Sequence, residues 1–253
     1  MIRWLAALAL WAAPATAQDV FVMGEVHDNP AHHAVQAERV AQIQPAAIVF
    51  EMLTEDQAAR VTPELRNDPE ALADALGWDQ SGWPDFSFYH PIMTAAPEAR
   101  ILGAGIPREA VRGLSETGLA ETFGDGAEAF GLAEPLPEAE RAAREALQAA
   151  AHCDALPPEM LPIMVDIQRL RDAALARAAL EAWRETGGPV AVITGNGHAR
   201  KDSGMPALLA RAAPELRIHS LGQGEDSTPP GGGFDEIADS PAPVRGDPCE
   251  AFR

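Results

Sequence analysis

Short apolar runs alternate with longer segments of helical composition along most of the chain. The runs Asp19–Gly24, Ala46–Met52 and Ala99–Gly105 come first, and "GPVAVITG" and "LRIHSLG" follow later. Continuous apolar runs of this length are typical of strands that are buried on both faces. The pattern therefore predicts an α/β fold, with a mostly parallel sheet flanked by helices.

The segments between these runs carry helix signals. Asn29 is a good N-cap and Pro30 suits the first helical position, which predicts a helix over Asn29–Gln44. A long helix is predicted over Pro157–Thr186. The helix-rich stretch at about residues 114–186 lies between the third and fourth strands. We interpret this stretch as an insertion that caps one side of the site.

Both ends of the chain differ from this pattern. Residues 1–17 combine Arg3, a short apolar run and a small-x-small ending at Ala17, which is typical of a secretory signal peptide. Residues 18–253 are predicted to form a single domain. Its Gly/Pro-rich tail, about residues 223–253, is predicted to be a loop with extended pieces. No cysteine lies directly after the predicted cleavage site, so we expect no lipid anchor there. We expect a soluble periplasmic or secreted protein that does not span a membrane.

Composition narrows the choice of partners. The formal net charge of −19 disfavours nucleic acid and anionic membrane surfaces, which repel an acidic chain. We expect a small-molecule partner and leave a homodimer open. Cys153 and Cys249 are the two cysteines. In an exported chain an even count favours a disulfide, with two free thiols as the alternative.

Two of the apolar runs end in the same Gly-x-x-His pattern. The first continues as "GEVH", with Glu25 and His27, and the later one as "GNGH", with His198. Another run ends at Glu51. Because the carboxyl ends of parallel strands meet at one edge of a sheet, we predict that these four side chains converge. They would bind a divalent metal ion or act as acid and base, with a set of hydrogen-bonded loop residues as the alternative.

Two other features carry weaker signals. His32 and His33 are adjacent on the first predicted helix, where consecutive side chains point about 100° apart, so at most one of them faces the site. The segment "GWDQSGWPDFSFYHPIM" contains the only tyrosine, Tyr89, next to His90. Its aromatic side chains either form a core patch under a loop or cover the face of a planar ligand.

Several motifs together resemble those of one known family. "GEVHDNPAHH", "FEM", "AGIPRE", "LPIMVDIQRLRDAALA" and "ITGNGHAR" resemble, in order, the motifs of ChaN-like haem-binding uptake proteins, within the wider Tiki/TraB/erythromycin-esterase-like superfamily. The resemblance extends over about residues 20–221. It implies an exported bacterial protein of haem or iron uptake, with an α/β fold and a helical cap.

The resemblance also implies which side chains line the pocket. These are Glu25, His27, Glu51, Gln168, Arg169, Asp172 and His198. Gln168 and Asp172 are four residues apart and share one helix face. Arg169 is placed to pair with Asp172, either in the pocket or as an ordinary exposed ion pair. The chain departs from many relatives in having Gly105 where they carry asparagine, and from lipoprotein relatives in lacking a lipid-attachment cysteine.

Haem binding requires an iron ligand and an apolar cleft. Exported haem-uptake proteins often use tyrosine or histidine, which makes Tyr89 the expected axial ligand and His90 its alternative or partner. The other expected haem-binding residues are Gln168, Arg169 and Asp172.

Three functions are compatible with these residues. The favoured one is an exported haem-binding protein without turnover. The alternative is a metal-dependent hydrolase of the Tiki/TraB-like protease or esterase type, in which the two glutamates and two histidines of the Gly-x-x-His ends hold an ion that activates water. A partner-binding module is the third, and the polar strand ends favour it least.

Overall fold

The computed structural model describes residues 18–247 and 249–250, so the predicted signal peptide lies outside the described residues. Six strands form one sheet: β1 Val20–Met23, β2 Ala47–Phe50, β3 Arg100–Gly103, β4 Val190–Ile193, β5 Ile218–Glu225 and β6 Glu236–Ser240. Their order across the sheet is β3-β2-β4-β1-β5-β6, and every neighbouring pair is parallel. The predicted α/β fold with a parallel sheet is confirmed.

Helices cover both faces of this sheet. They are α1 Pro30–Ile43, α2 Glu55–Ala58, α3 Pro69–Leu76, α4 Phe86–Thr94, α5 Arg108–Thr117, α6 Leu119–Phe123, α7 Glu138–Ala151, α8 Leu161–Thr186, α9 Asn196–Ala199 and α10 Met205–Ala212, with 3-10 turns at Leu65–Asn67, Trp78–Gln80 and Pro158–Met160. Asn29 caps α1 as predicted, because its side chain accepts a hydrogen bond from the N–H of Ala31. Within the described part of the chain, no helix has the length and apolar character needed to cross a membrane.

The long helix begins later than predicted. Pro162 lies in the first turn of α8, the one place in a helix that does not need its missing N–H. The residues before it form a 3-10 turn. Helix α8 packs directly on β2 and β4. Part of the stretch interpreted as a cap is therefore a helical layer of the core.

The strands are apolar throughout because successive side chains enter different cores. Val192 of β4 packs in the cluster that contains Leu175 of α8. Its neighbour Ile193 packs on the opposite face, in the cluster that contains Ile92 of α4. Since the side chains of a strand alternate between faces, a sheet covered on both sides shows no polar alternation.

The C-terminal tail contributes to the sheet and to its attachment. Strand β6 pairs with β5 as an edge strand, so the segment predicted as a loop with extended pieces supplies one strand. Beyond it, Arg245 forms an ion pair with Asp28 in the turn after β1. The structure also contains the predicted disulfide between Cys153 and Cys249, which joins the tail to the end of α7.

Candidate functional site

The two Gly-x-x-His turns lie side by side because β1 and β4 are neighbours in the sheet. Met23 is in register with Ile193, so the turns that follow these residues leave the same edge. Strand β2 pairs with the other side of β4 and brings Glu51 to that edge as well. The structure thus brings together the four side chains predicted to converge, Glu25, His27, Glu51 and His198.

Both turns favour glycine because they approach their neighbours closely. A Cβ atom on Gly24 would lie 2.5 Å from Oδ1 of Asn196, and one on Gly195 would lie 3.0 Å from Nε2 of His27. Asn196 in turn exchanges two hydrogen bonds with the backbone of Gln223 in β5. The glycines therefore allow the two turns to contact each other and the third strand.

Glu25 is the centre of one half of the site. Its Oε1 accepts a hydrogen bond from the Tyr89 hydroxyl at 3.0 Å and lies 2.7 Å from Nδ1 of His27. Its Oε2 lies 3.3 Å from Nδ1 of His33. His33 is thus the member of the adjacent pair that faces the site, whereas His32 hydrogen-bonds to backbone atoms.

His198 is the centre of the other half. Its Nδ1 lies 2.7 Å from Oδ1 of Asp172 and 3.0 Å from Nε2 of Gln168, so α8 presents both residues of the predicted face to it. Its Nε2 lies 3.4 Å from Oε1 of Glu51. The other oxygen of Glu51 accepts hydrogen bonds from the Thr194 hydroxyl at 2.6 Å and from a backbone N–H at 2.9 Å. We call Glu25, His27, His33, Glu51, Asp172 and His198 the strand-end cluster.

Burial and charge act in opposite directions on this cluster. Burial by itself would lower the pKa of His198, but the carboxylates of Glu51 and Asp172 outweigh it and raise that pKa. Burial also opposes the charged form of His27, whose pKa is nevertheless raised by the hydrogen bond to Glu25 and the charge of Glu51. Burial would raise the pKa of Glu51, yet the two histidines and its hydrogen bonds lower it to about 2. Glu51, His27 and His198 thus stabilise one another's charged forms, whereas burial outweighs the effect of His198 at Asp172 and raises the pKa of that carboxyl.

Tyr89 and His90 do not have the positions expected of haem ligands. Tyr89 is fully buried. Burial and the nearby charge of Glu25 raise the pKa of its phenol far above the usual value, which disfavours the phenolate that would bind ferric iron. His90 faces elsewhere, with Nε2 2.8 Å from the carbonyl oxygen of Arg66. The aromatic segment is a core patch in which Tyr89 packs against Trp78, which was the alternative interpretation.

Arg169 lies outside the strand-end cluster. Its guanidinium group is 3.4 Å from Asp166 and donates to carbonyl oxygens of the segment 131–134. The expected pair with Asp172 does not form, because Asp172 faces His198 from another side of α8. Consecutive helical positions differ by about 100°, so Arg169 cannot share the face of the residue before it.

The cluster does not have the geometry of a metal site. In the part of the chain that the structure describes, no group of three or more His, Cys, Asp and Glu side chains is arranged to hold a metal ion. Each half pairs an imidazole with a carboxylate, His27 with Glu25 and His198 with Asp172. The donor atoms are therefore directed at one another, and the predicted divalent-ion site finds no support in this arrangement.

A cleft of about 320 Å³ opens beside the cluster. This volume is at the lower end of the roughly 300–1,000 Å³ that small-molecule sites occupy. Glu51 borders the cleft, and Ile106, Leu175 and Trp83 provide apolar walls. The Trp83 ring contacts His27 edge-on, with 4.9 Å between ring centroids.

His27 is the most exposed member of the strand-end cluster. Its side chain is 35% exposed, compared with 0% for Glu25 and 7% for His198. Within the described residues its Nδ1 is held by Glu25, and no hydrogen-bond partner contacts its Nε2. An imidazole that is oriented through one nitrogen and open at the other is typical of a histidine that ligates a metal. From the sequence alone, His27 could not be distinguished from the enclosed His198.

Comparisons of sequence and fold agree with one another. A family model described as haem-binding uptake, Tiki superfamily, ChaN matches residues 11–209. The structure of cofacial heme binding to ChaN of Campylobacter jejuni matches with a TM-score of 0.58 and 20% identity over 81% of each chain, which shows a common fold. The type III effector HopBA1 matches with a TM-score of 0.46 and 14% identity over 88% of each chain. A mutant of erythromycin esterase EreC in its open conformation matches with a TM-score of 0.40 and 11% identity, over 82% of this chain and 70% of the other chain. No curated protein matches the sequence.

Proposed function

This chain belongs to the ChaN family of haem-binding uptake proteins in the Tiki superfamily, and on that premise we propose that it binds haem as an exported protein without chemical turnover. The observation that carries the proposal is the free Nε2 of His27, whose ring contacts Trp83 in the wall of the cleft. This assignment replaces Tyr89 as the expected ligand, because Tyr89 is buried and bonded to Glu25.

The residues at the cleft have the chemistry that haem requires. A porphyrin needs apolar surface against its faces, and its iron needs a nitrogen, sulfur or oxygen ligand. Ile106, Leu175 and Trp83 supply the apolar surface. His27 supplies an imidazole nitrogen, and bound haem supplies an iron centre that can accept it. The small volume of the cleft leaves room for part of the ring system, so one region of the porphyrin would stay exposed.

Glu25 acts as a positioning residue for His27. Its carboxylate accepts hydrogen bonds from Nδ1–H of His27 and from the Tyr89 hydroxyl, and it lies close to His33. A carboxylate partner fixes the ring orientation and increases the basicity of the other nitrogen. Because the pKa of His27 is raised, iron and a proton compete for Nε2. His198 is a poorer ligand because two carboxylates enclose it.

No specific observation favours the hydrolase alternative. The described residues hold no group arranged for a metal ion that could activate water. His198, the second histidine of that hypothesis, is 7% exposed and bonded on both ring sides. A substrate would therefore meet the edge of the cluster at His27 rather than a pair of histidines.

Haemin titration tests the proposal directly. The wild-type protein should give a saturable shift of the Soret band, and His27→Ala should weaken binding at least about tenfold, or about 1.4 kcal/mol. His219→Ala is a matched control, because His219 lies at the start of β5 and pairs with Glu236. Equal binding by wild type and His27→Ala would exclude His27 as the ligand. A wild-type protein that gives no saturable shift would overturn the proposed function.

We also propose that residues 1–17 direct export. The support is the Arg3, apolar run and small-x-small pattern of the sequence. The Cys153–Cys249 bridge suits an oxidising compartment. Intact-mass measurement of protein isolated from the periplasm or medium should give a chain that begins at Gln18. A chain that retains Met1 would contradict export by cleavage.

A further inference from the structure

Two arginine side chains border the cleft without an acidic partner. Arg108 begins α5, Arg171 lies in the middle of α8, and both line the cleft. Arg108 makes one long contact, 3.5 Å to the carbonyl oxygen of Ser81. Among the described residues, none forms a hydrogen bond or an ion pair with Arg171.

The shared position of these two arginines at one cleft is informative because the chain as a whole is acidic. The chain has 38 acidic and 19 basic residues. Some arginines elsewhere in the fold take acidic partners, such as Arg217 with Asp19 at 2.9 Å and Arg245 with Asp28 at 2.8 Å, whereas others, such as Arg60, contact backbone carbonyls. Two unpaired guanidinium groups at the mouth of one cleft are therefore a local excess of positive charge in an acidic protein.

The acidic residue of the cleft cannot neutralise these arginines. Glu51 also borders the cleft, but one of its oxygens accepts two hydrogen bonds and the other lies 3.4 Å from Nε2 of His198. The guanidinium groups, which line the cleft, thus retain N–H donors that no acidic side chain occupies.

We propose that Arg108 and Arg171 form an anion-binding subsite that receives the carboxylate groups of the cleft ligand. The inference rests on the proposed function, in which those groups are the two propionates of haem. Guanidinium pairs with carboxylate in a two-bond geometry that combines charge with direction. The subsite also offsets the repulsion that a dianionic ligand meets from a chain of net charge −19. The cleft would then recognise its ligand by the carboxylate edge of the porphyrin as well as by the iron.

Binding of haemin and of haemin dimethyl ester by arginine variants tests the inference. The ester keeps the iron and the ring but has no carboxylate charge. Arg108→Gln and Arg171→Gln should each weaken haemin binding about tenfold, and neither should change the affinity for the ester by more than about twofold. Arg184→Gln is the matched control, because Arg184 is an exposed arginine in the last turn of α8 and does not line the cleft. This variant should bind both ligands like the wild type.

The outcomes separate this inference from the function on which it rests. Saturable binding of haemin by the wild type, with equal affinity in the Arg108→Gln/Arg171→Gln double variant, would overturn the subsite and leave haem binding intact. Equal losses for haemin and the ester would also overturn it, since the arginines would then act through the shape of the cleft. A wild type that binds neither ligand would overturn both proposals. Unchanged thermal unfolding midpoints would confirm that the variants fold, as expected for exposed side chains.

Discussion

The Nδ1 atom of His198 lies 2.7 Å from Oδ1 of Asp172, a contact that joins the turn after β4 to the middle of α8. The Asp172 side chain is fully buried and that of His198 is 7% exposed. The contact compensates a charge that would otherwise be isolated in the core. It also fixes the position of the second Gly-x-x-His turn relative to the helical layer.

Replacing Asp172 should destabilise the fold strongly. Asp172→Asn keeps the size of the side chain and removes the charge that faces His198, which we expect to cost about 3 kcal/mol of unfolding free energy. Asp166→Asn is the control on the same helix, because Asp166 pairs with Arg169 with its side chain 39% exposed. That change should cost less than about 1 kcal/mol. Urea unfolding measures both, and equal losses would contradict the assigned role of the buried pair.

Replacing Tyr89 should affect stability and leave haem ligation in place. Tyr89→Phe removes the hydroxyl that donates to Glu25 and leaves a buried carboxylate with one partner fewer. We expect a loss of about 1–3 kcal/mol in urea unfolding. The haemin-induced Soret shift should persist, because the proposed iron ligand is His27 rather than Tyr89. A variant that folds but loses the shift would return the ligand role to Tyr89.

The disulfide should stabilise the chain by closing a long loop. Cys153 and Cys249 are 96 positions apart, and in the chain-entropy model a loop of that length contributes at most about 5 kcal/mol. Cys153→Ser/Cys249→Ser should therefore unfold at lower urea than the oxidised wild type. Treating the wild type with reductant should lower its stability to the level of the variant. Labelling of denatured, unreduced protein should find no free thiol, and two labelled cysteines would disprove the bridge.

The ion pair of the C-terminal tail should contribute a pH-dependent part of the stability. The hydrogen bond from Arg245, against an opposing effect of burial, lowers the pKa of Glu225 to about 2. Since the ordinary value is 4.5, the folded state holds the charged carboxylate more strongly than the unfolded chain. This stabilisation is complete above pH 4.5 and decreases as the pH falls toward 2.

Arg245→Gln isolates that contribution. The variant should lose about 1 kcal/mol at neutral pH, because solvent screens this exposed pair, and its difference from the wild type should narrow below pH 4.5. Unfolding free energies in urea from pH 3 to 8 measure the effect. Arg184→Gln, which removes an arginine outside this ion pair, should differ from the wild type by a small and constant amount. A constant difference for Arg245→Gln would show that Glu225 is not its titrating partner.

Local patterns in the sequence determined the elements and the edge of the sheet where the site forms. Apolar runs of strand length, Asn29 before Pro30, and polar residues at the ends of the runs all depend on neighbours in the chain. Since parallel strands share one direction, their carboxyl ends share one edge whichever strands are neighbours. That is why Glu25, His27, Glu51 and His198 could be predicted to meet.

Only the tertiary structure decided which of these side chains face a ligand. The sheet order places β4 between β1 and β2, and this brings the two turns into contact. Contacts between distant segments determine three features: His27 is exposed, Tyr89 is buried, and the Arg169 side chain points away from the cluster. The same holds for Arg108 and Arg171, which are separate motif residues in the sequence and border one cleft in the fold. A linear pattern specifies spacing and chain direction, whereas burial and pairing are set by segments that meet when the chain folds.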